Sequence, residues 1–482
     1  SLDRRQRQMC IRDSNLPEGQ ISFQTQATST VSFSDEEQYY EWYIDADLID
    51  EGENVIAVEV HQSSSSSSDK SFDLELIAYY FGGVSLVDSL SYQEQISDVS
   101  YGRNHHSEIW GYYGQPTPGY SNNTHQLQIP LMSGDVVSNL TSGIYDEDQT
   151  ITMTTNNSEG IIYYTTDGSK PVLTSNIYTS PIFTGGNTII RARTIEPNKL
   201  PGKISTFTYL ISSQNSIPTV SLIVEPDFLW DDNIGIYSNE YKQREIPITL
   251  HYIKNGFNTS FEIDAGARLG GLNIWTKPQK PFTIYTRNRF GEDAIYYQLF
   301  ENKPIANFSR IVLRNGGDDW EETLIRDPMI ESIAEGMLDC GYMAYTPSSI
   351  YLNGDYWGIY NIREKFDKNY FTQNFNVNGE NIDHLEYSQT RSGVELLVVE
   401  GDLIDYNAMI NILASYNISN NDGWILIDSL LNVNSFIDHL ILTGYAANTS
   451  WEHNREWWKE KSTGSKWQWL IVDLDRGFNY FN

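Results

Sequence analysis

The chain has 482 residues, of which 64 are acidic and 32 are basic, giving a formal net charge of −32. This charge excludes nucleic acid and anionic membranes as partners, because their phosphate groups would be repelled. The length and a hydrophobic content of 39% predict several folded domains. No apolar run is long enough for a membrane span. The only cysteines, Cys10 and Cys340, exclude a disulfide framework and a structural zinc site.

The two ends indicate a fragment of a longer protein. Residues 1–20 are predicted to be a non-native or disordered tail, because residues 1–14 carry four arginines in an otherwise acidic chain. This stretch resembles translated adapter sequence at the edge of a metagenomic gene. No apolar signal-peptide core is present in these residues, and the C-terminal end is predicted to be truncated just after an apolar strand.

Residues 21–125 predict two partial β-rich segments. Alternating apolar residues at 54–60 and 72–76 flank a serine tract and resemble the last strands of a galactose-binding-like sandwich, assigned to residues 21–81. Residues 82–125 are similar to the end of a lamin-tail-type domain followed by a linker, because Tyr101-Gly102-Arg103 precedes a Thr-Pro-Gly sequence. We interpret the nearby histidines, His105 and His106, as solvated loop residues.

Residues 126–212 predict an immunoglobulin-like sandwich. Short β-rich stretches such as IIYYTTDG and NTIIRART alternate with turn residues. The run from Tyr163 to Pro171 resembles the chitobiase/β-hexosaminidase C-terminal type of module. Such modules are usually spacers in secreted bacterial proteins, and we predict no catalysis here.

Residues 213–482 mix strands and helices, which predicts an α+β domain. A helix is expected from Asp327, as an N-cap before Pro328, to Gly341. Asn353-Gly354 predicts a hairpin turn between two apolar strands. Further helices are expected at residues 402–415 and 433–447, and a buried strand at 467–472.

Acidic and amide side chains after this last strand are the best candidates for chemistry. No phosphate-loop, zinc-helix or nucleophile-elbow motif occurs in the chain. Asp473 and Asp475 follow the strand, and Asn454 lies shortly before it. Carboxylate and amide oxygens are ligands that Mg²⁺ accepts while keeping waters and phosphates as its other ligands.

The order of motifs resembles the spore-coat CotH kinase-like family over residues 218–482. Five motifs support the resemblance. The first three are RLGG with KPQKPF, then VLRN with LIRD, then YLNG with GIY and Glu364. The fourth is Asn454, and the fifth is Asp473-Leu474-Asp475. The resemblance implies an atypical protein-kinase-like fold, so the fold class is expected to be multidomain, with N-terminal β-sandwich modules before this domain. It also implies transfer of the γ-phosphate of ATP with Mg²⁺ or Mn²⁺ as cofactor.

The resemblance also implies roles for individual residues. Lys280 corresponds to the phosphate-contacting lysine, with Lys277 as the alternative, and Glu364 to the acid that positions it. The metal ligands would be Asn454, Asp473 and, as a further candidate, Asp475, which could instead pair with the neighbouring Arg476. Three arginines could contact phosphate or substrate or pair with nearby acids: Arg268, Arg314 and Arg326.

One position departs from the family. Ser450 stands where many members have an aspartate that would accept the proton of the substrate hydroxyl. Serine cannot accept a proton at neutral pH, so either Glu452 or another acid replaces it, or the domain is a pseudokinase.

Two functions are therefore weighed. The first is a secreted or surface-displayed bacterial kinase that phosphorylates Ser/Thr hydroxyls of a protein partner, such as a surface or coat protein. The second is a non-catalytic adhesin or surface-assembly protein, whose β modules could contact glycans or the cell envelope. A glycan-active enzyme is a third alternative, but no carboxylate pair can be assigned to a sugar.

Overall fold

The computed structural model describes residues 76–80, 83–88, 96, 99–104, 109–115, 122, 124–211, 216–239, 244–254, 258–271, 277–390, 393–416 and 420–478. The predicted tail at residues 1–20, the alternating strand at 54–60, most of that at 72–76, His105 and His106 lie outside the described residues. Two compact units are present, Ser1–Gln95 with Lys242–Arg244, and Ile96–Tyr241 with Glu245–Asn482. In the first unit, β1 (Leu76–Tyr80) and β2 (Gly83–Asp88) form an antiparallel hairpin.

The second unit begins with a small antiparallel sheet. Its strands are β3 (Ser100–Arg103), β4 (Trp110–Tyr113) and β5 (Gln126–Leu127). The Tyr101 ring stacks on Trp110 with 5.5 Å between centroids, and the Arg103 guanidinium lies 5.0 Å from the same indole. The Tyr-Gly-Arg sequence is therefore part of a strand.

The next nine strands form the predicted immunoglobulin-like module. They are β6 (Val136–Ser138), β7 (Gly143–Tyr145), β8 (Thr150–Ile151), β9 (Met153–Thr155), β10 (Ile161–Thr165), β11 (Asn176–Ile177), β12 (Ile182–Phe183), β13 (Thr188–Ile195) and β14 (Ser205–Ile211). The main sheet has the order β11-β10-β13-β14-β7, and β6-β9 and β8-β12 form two further pairs. Alternate residues such as Ile190 and Ala192 face a shared apolar core, which explains the period-two pattern of the sequence.

A closed seven-stranded barrel follows the module, with the order β15-β16-β17-β18-β19-β21-β20. Its strands are β15 (Thr219–Val224), β16 (Ile246–Ile253), β17 (Phe261–Leu269), β18 (Phe282–Tyr285), β19 (Arg310–Arg314), β20 (Tyr345–Leu352) and β21 (Asp355–Arg363). All neighbouring pairs are antiparallel except β15 with β20, which closes the barrel. Ile311 and Leu313 of β19 belong to the apolar core, so alternation places Arg310 and Arg314 on the opposite face of the strand.

The expected hairpin is confirmed at β20 and β21. Asn353 and Gly354 have φ angles of 49° and 89°, the left-handed conformations that a two-residue hairpin turn requires. The Asn353 side chain also pairs with the Val224 backbone, accepting from its N–H and donating to its carbonyl at 2.8 Å each.

The last part of the chain combines one sheet with helices. The sheet has the order β23-β22-β24-β25, with β22 (Ile382–Thr390), β23 (Gly393–Glu400), β24 (Arg455–Glu460) and β25 (Gln468–Leu470). The helices of the domain are α1 (Pro226–Trp230), α2 (Arg326–Glu331), α3 (Lys368–Phe375), α4 (Ile404–Ser415), α5 (Asn421–Leu430) and α6 (Val433–Tyr445). The helices expected at 402–415 and 433–447 are thus confirmed as α4 and α6. Among the described residues, no helix is both long and apolar enough to cross a membrane.

The helix expected from Asp327 to Gly341 is wrong in its extent and in its cap. α2 ends at Glu331, and only a short 3₁₀ turn, Ser332–Ala334, continues it before Gly336, whose φ is 67°. Asp327 lies inside the first turn rather than at the cap, and its buried carboxylate pairs with arginines of the barrel. These ion pairs compete with local capping for the same carboxylate.

The immunoglobulin-like module packs against the barrel. Leu210 of the module and Ile253 and Tyr351 of the barrel form one small apolar cluster. Asn187 donates a hydrogen bond to the Gly354 carbonyl at 3.2 Å, which connects the module to the barrel hairpin. The module therefore buttresses the barrel in addition to linking it to the preceding residues.

The multidomain organisation with a β-rich N-terminal part is confirmed by this architecture. The protein-kinase-like character of the last domain stays a prediction.

Candidate functional site

The candidate site is built at the end of β19. Arg314, the last residue of this strand, directs one guanidinium nitrogen to the carboxylates of Asp473 and Asp475, the latter at 2.9 Å. The next residue, Asn315, is buried and donates a hydrogen bond to the Gln279 carbonyl at 2.6 Å. Two consecutive residues of one strand end therefore bind both the loop after β25 and the loop that carries Lys277 and Lys280.

A pair of glycines lets the chain pass directly over Asp475. Gly316 and Gly317 have φ angles of 101° and 64°, a left-handed region that side chains disfavour. A Cβ atom added at Gly317 would lie 2.1 Å from Oδ2 of Asp475. The same oxygen accepts a hydrogen bond from the Asp318 backbone N–H at 2.9 Å. This close contact buries Asp475 and fixes its orientation.

Asn454 and Asp473 are brought together as the sequence motifs implied. The Asn454 amide donates to Oδ2 of Asp473 at 2.8 Å and to Oγ of Ser450 at 3.1 Å. Asp473 itself has a φ of 52°, which turns the chain sharply after β25, the strand expected at 467–472, which is shorter than expected and only partly buried. Its side chain remains 33% exposed, whereas that of Asp475 is only 6% exposed. Asp473 is therefore the carboxylate that a ligand in solution can reach.

A buried network of ion pairs contacts Arg314 on the side away from the exposed Asp473 carboxylate. Asp327 contacts Arg314 at 3.2 Å and Arg363 at 2.6 Å, and Arg363 also pairs with Glu331 at 2.6 Å. Burial opposes ionisation of Asp327, but the two guanidinium groups lower its pKa overall. For Glu331, burial outweighs its single arginine and raises its pKa to about 8.

The charge of the site is unbalanced toward the negative side. Burial, and then the negative charge of Asp473, raise the pKa of Asp475 well above its ordinary value, although Arg314 opposes this shift. Arg314 is shared among three carboxylates, those of Asp327, Asp473 and Asp475, and its own pKa is raised by them. Asp327 has Arg363 as a second partner, but Asp473 and Asp475 share the guanidinium of Arg314, so a further cation at Asp473 would relieve the repulsion between these two carboxylates.

The donor set fits a divalent cation of the magnesium type. The Asn454 amide group and the exposed carboxylate of Asp473 are in contact through the amide nitrogen, and both groups carry hard oxygen atoms. Mg²⁺ commonly uses one or two such protein ligands with phosphates and waters. Within the described part of the chain, no group of three or more His, Cys, Asp or Glu side chains is arranged to hold a metal by itself.

The two candidate lysines have different surroundings. Lys280 is 5% exposed, and its Nζ lies 5.8 Å from the centre of the Tyr237 ring. Lys277 is more exposed and forms an ion pair of 2.6 Å with Glu321. Gln279, between them, is held through its backbone by Asn315, as described above. Both lysines thus belong to a loop fixed at the end of β19.

The expected pairing of Glu364 with Lys280 is wrong. The Glu364 carboxylate binds Nζ of Lys303 at 2.6 Å and also accepts hydrogen bonds from the Ala344 N–H and the Asn374 amide. Lys303 and Glu364 are both buried, and the Lys303 ammonium also lies 4.3 Å from the centre of the Tyr342 ring. Glu364 thus serves a buried structural pair that spacing along the chain did not reveal.

One further expectation needs correction, and one stays a prediction. Asp475 does not pair with Arg476, because Arg476 binds Asp318 at 2.5 Å while Asp475 binds Arg314. Glu452 is exposed, and no hydrogen bond or ion pair connects its carboxylate to any described residue. Its role as the acid that replaces the missing aspartate stays a prediction.

The remaining arginines and Ser450 have structural partners. The guanidinium carbon of Arg268 lies 5.3 Å from the centre of the Tyr285 ring. Arg326 pairs with Asp319 and Glu322. The Ser450 hydroxyl is buried and bonds the amide oxygen of Asn448 at 3.0 Å.

Sequence reasoning missed the roles of four residues: Gly317, Asp327, Glu331 and Lys303. The consecutive glycines before an aspartate were a usable signal for Gly317, since paired glycines often mark a close approach of the backbone. The other three are recognisable only once their buried partners are known.

Comparison with known families agrees with this architecture. Residues 270–482 match the family described as CotH kinase protein, and residues 140–206 match the chitobiase/beta-hexosaminidase C-terminal domain. The chain therefore contains a segment that matches the CotH kinase family, preceded by a segment that matches the chitobiase-type module, in the order that its motifs predicted. An endoglucanase from Clostridium saccharobutylicum is 38% identical over 65 residues, which is 14% of this chain and 13% of the endoglucanase. The chain thus corresponds to only a small part of that enzyme.

Proposed function

We propose that the CotH domain is a phosphotransferase that moves the γ-phosphate of ATP to a protein hydroxyl with a divalent metal ion. The observation that carries this proposal is the contact of 2.8 Å between the Asn454 amide and the exposed Asp473 carboxylate. An Asn and an Asp that share the metal are the ligands by which protein kinases hold the phosphates of ATP.

Each residue of the site has a part in this reaction. Asn454 and Asp473 would hold the metal, which when bound neutralises charge on the phosphate oxygens. Asp475, held by Arg314 and the Asp318 N–H, would orient the loop. Lys280, on the loop fixed by Asn315, is the candidate for contact with the phosphates, with Lys277 as the alternative.

The missing aspartate at Ser450 bears on the rate of transfer rather than on binding. Phosphoryl transfer depends mainly on positioning and on stabilisation of charge, so a site without a dedicated base can still react slowly. Glu452 has no contact that would bring it to the site. We therefore expect a slow kinase, in which the acceptor hydroxyl passes its proton to water or to the transferred phosphoryl group rather than to a carboxylate base.

A second candidate is a non-catalytic domain that binds nucleotide or serves as a scaffold for surface assembly. The specific observation in its favour is the Ser450 hydroxyl, which is occupied by Asn448 where an acid would be needed. In either case we propose a secreted or surface location and a protein partner, such as a surface or coat protein, with glycan contact through the β modules as an additional role.

Incorporation of γ-labelled phosphate tests the first proposal. The intact protein and Asp473→Ala are compared on generic Ser/Thr substrates and for autophosphorylation, in Mg²⁺ and in Mn²⁺. Label that depends on Asp473 and on the metal supports transfer. If neither protein incorporates label but ATP with metal raises the thermal midpoint of the intact protein, the nucleotide-binding alternative is favoured.

A further inference from the structure

The buried carboxylate of Asp327 makes two contacts with residues that hold the candidate site. Its Oδ1 accepts a hydrogen bond of 2.7 Å from the backbone N–H of Leu474, the residue between Asp473 and Asp475. Its Oδ2 lies 3.2 Å from Nε of Arg314. Nη2 of the same guanidinium binds the carboxylates of Asp473 and Asp475. One buried carboxylate therefore contacts both the backbone and the cation that determine where Asp473 lies.

Asp327 is itself held rigidly. It is 2% exposed, and Arg363 of the barrel binds its Oδ2 at 2.6 Å. Apolar packing adds to this, because Leu474 shares a buried cluster with Ile330 of α2 and Leu442 of α6. The helix α2, the barrel and the site loop thus meet at one side chain.

We infer that Asp327 is a positioning residue that sets the metal-ligand geometry of Asp473 through the Leu474 N–H and Arg314. This inference rests on the proposed function, because it concerns the same metal site. Groups that orient metal ligands from behind typically change metal affinity by about tenfold to a hundredfold when they are replaced. Asp327 does not contact the exposed face of the site, so its effect would pass through Asp473.

Glu331 offers a matched control. It lies on the same helix, is also fully buried, and pairs with the same Arg363 at 2.6 Å. Its other contact is the Met343 N–H rather than the site loop. Glu331→Gln therefore alters a hydrogen-bond partner of the same buried arginine, keeps the shape of the side chain, and leaves the contacts of Asp327 with Leu474 and Arg314 in place.

The test measures Mn²⁺ affinity by electron paramagnetic resonance of free Mn²⁺ in the presence of ATP. The proteins are the intact chain, Asp473→Ala, Asp327→Asn and Glu331→Gln, with the fold of each checked by circular dichroism. We expect Asp327→Asn to weaken Mn²⁺ binding by about tenfold or more, and Glu331→Gln to change it by less than about threefold.

The outcomes separate the inference from the proposed function. If the intact chain binds no Mn²⁺, or if Asp473→Ala binds it equally well, the proposed metal site is wrong and the inference fails with it. If Asp473→Ala loses Mn²⁺ while a folded Asp327→Asn keeps it, only the inference is overturned. Equal losses in Asp327→Asn and Glu331→Gln also overturn it, since they would indicate a general structural effect.

Should Asp327→Asn not fold, Asp327→Glu replaces it. This variant keeps the charge that Arg363 needs but lengthens the side chain by one methylene, which displaces the hydrogen bond to Leu474. We expect it to fold and to bind Mn²⁺ more weakly than the intact chain. Unchanged affinity in folded Asp327→Glu would overturn the positioning role.

Discussion

The amide of Asn454 donates a hydrogen bond of 2.8 Å to the carboxylate of Asp473, which lies 19 residues further along the chain. The residues between them form β24 and β25, so the contact joins the chain just before one strand to the chain just after its neighbour. A two-stranded connection of this kind fixes the distance between the Asn454 amide group and the Asp473 carboxylate. The candidate metal site is thus a product of one local sheet pairing.

The two site aspartates should respond differently to substitution. Asp473→Asn removes the exposed carboxylate and should abolish the Mn²⁺-dependent increase in thermal midpoint that ATP produces. Asp475→Asn keeps an oxygen that can accept from the Asp318 N–H, so it should fold and retain most of that increase. Thermal unfolding with ATP, with and without Mn²⁺, measures both. Equal loss in the two variants would show that the exposed position of Asp473 is not what matters.

Gly317→Ala should be destabilising because its Cβ would clash with Asp475. The added atom would lie 2.1 Å from Oδ2, so we expect a loss of about 1–3 kcal/mol in the free energy of unfolding. Gly336→Ala is the control, since Gly336 has a similar φ of 67° but no atom within 4 Å of the added Cβ. Urea denaturation of both variants isolates the clash from the backbone strain. A similar loss in both would contradict the close approach at Asp475.

Glu364→Gln should strongly destabilise the protein. It leaves the buried Lys303 ammonium without its carboxylate, and breaking a buried pair in this way costs about 3–5 kcal/mol. Glu380→Gln serves as the control, because it breaks an ion pair with Lys368 in which both side chains are exposed, and should cost under about 1 kcal/mol. Chemical denaturation gives both values. A stable Glu364→Gln protein that had lost ATP binding would instead restore the role expected from the sequence.

Stability should fall with rising pH because of Glu331. Its pKa is about 8 in the folded protein, against 4.5 for an ordinary glutamate, so the folded state holds a proton that the unfolded state has released. The stabilisation is therefore complete below about pH 4.5 and is lost as the pH rises through 8.

Glu331→Gln should flatten this pH dependence. Glutamine resembles the protonated acid at every pH, so the variant should gain stability relative to the intact chain between pH 6 and pH 9. Urea denaturation at several pH values in this range measures the difference, with Glu301→Gln as a control because the Glu301 side chain is 80% exposed. Parallel curves for Glu331→Gln and the intact chain would contradict the raised pKa.

Much of the local structure could be predicted from residue patterns alone. The strands of the immunoglobulin-like module and the Asn353-Gly354 hairpin follow from period-two alternation and turn chemistry, which act between residues close in the chain. The same reasoning failed at Asp327, which was predicted to be a helix N-cap from its neighbours in the sequence. Its carboxylate instead pairs with Arg363, 36 residues away. Helix α2 is accordingly much shorter than its apolar pattern predicts.

The sequence by itself determined the order of domains, the periodic elements and the residues around Asn454 and Asp473, because short-range patterns and ordered motifs encode them. Only the tertiary structure decided which charges meet: Lys303 rather than Lys280 with Glu364, and Arg314 rather than Arg476 with Asp475. Arg314 and Asp475 are 161 residues apart, and Lys303 and Glu364 are 61 apart. Buried ion pairs form where packing brings unlike charges together out of water. The barrel brings together residues that are far apart in the chain, so their spacing in the sequence does not reveal these pairs.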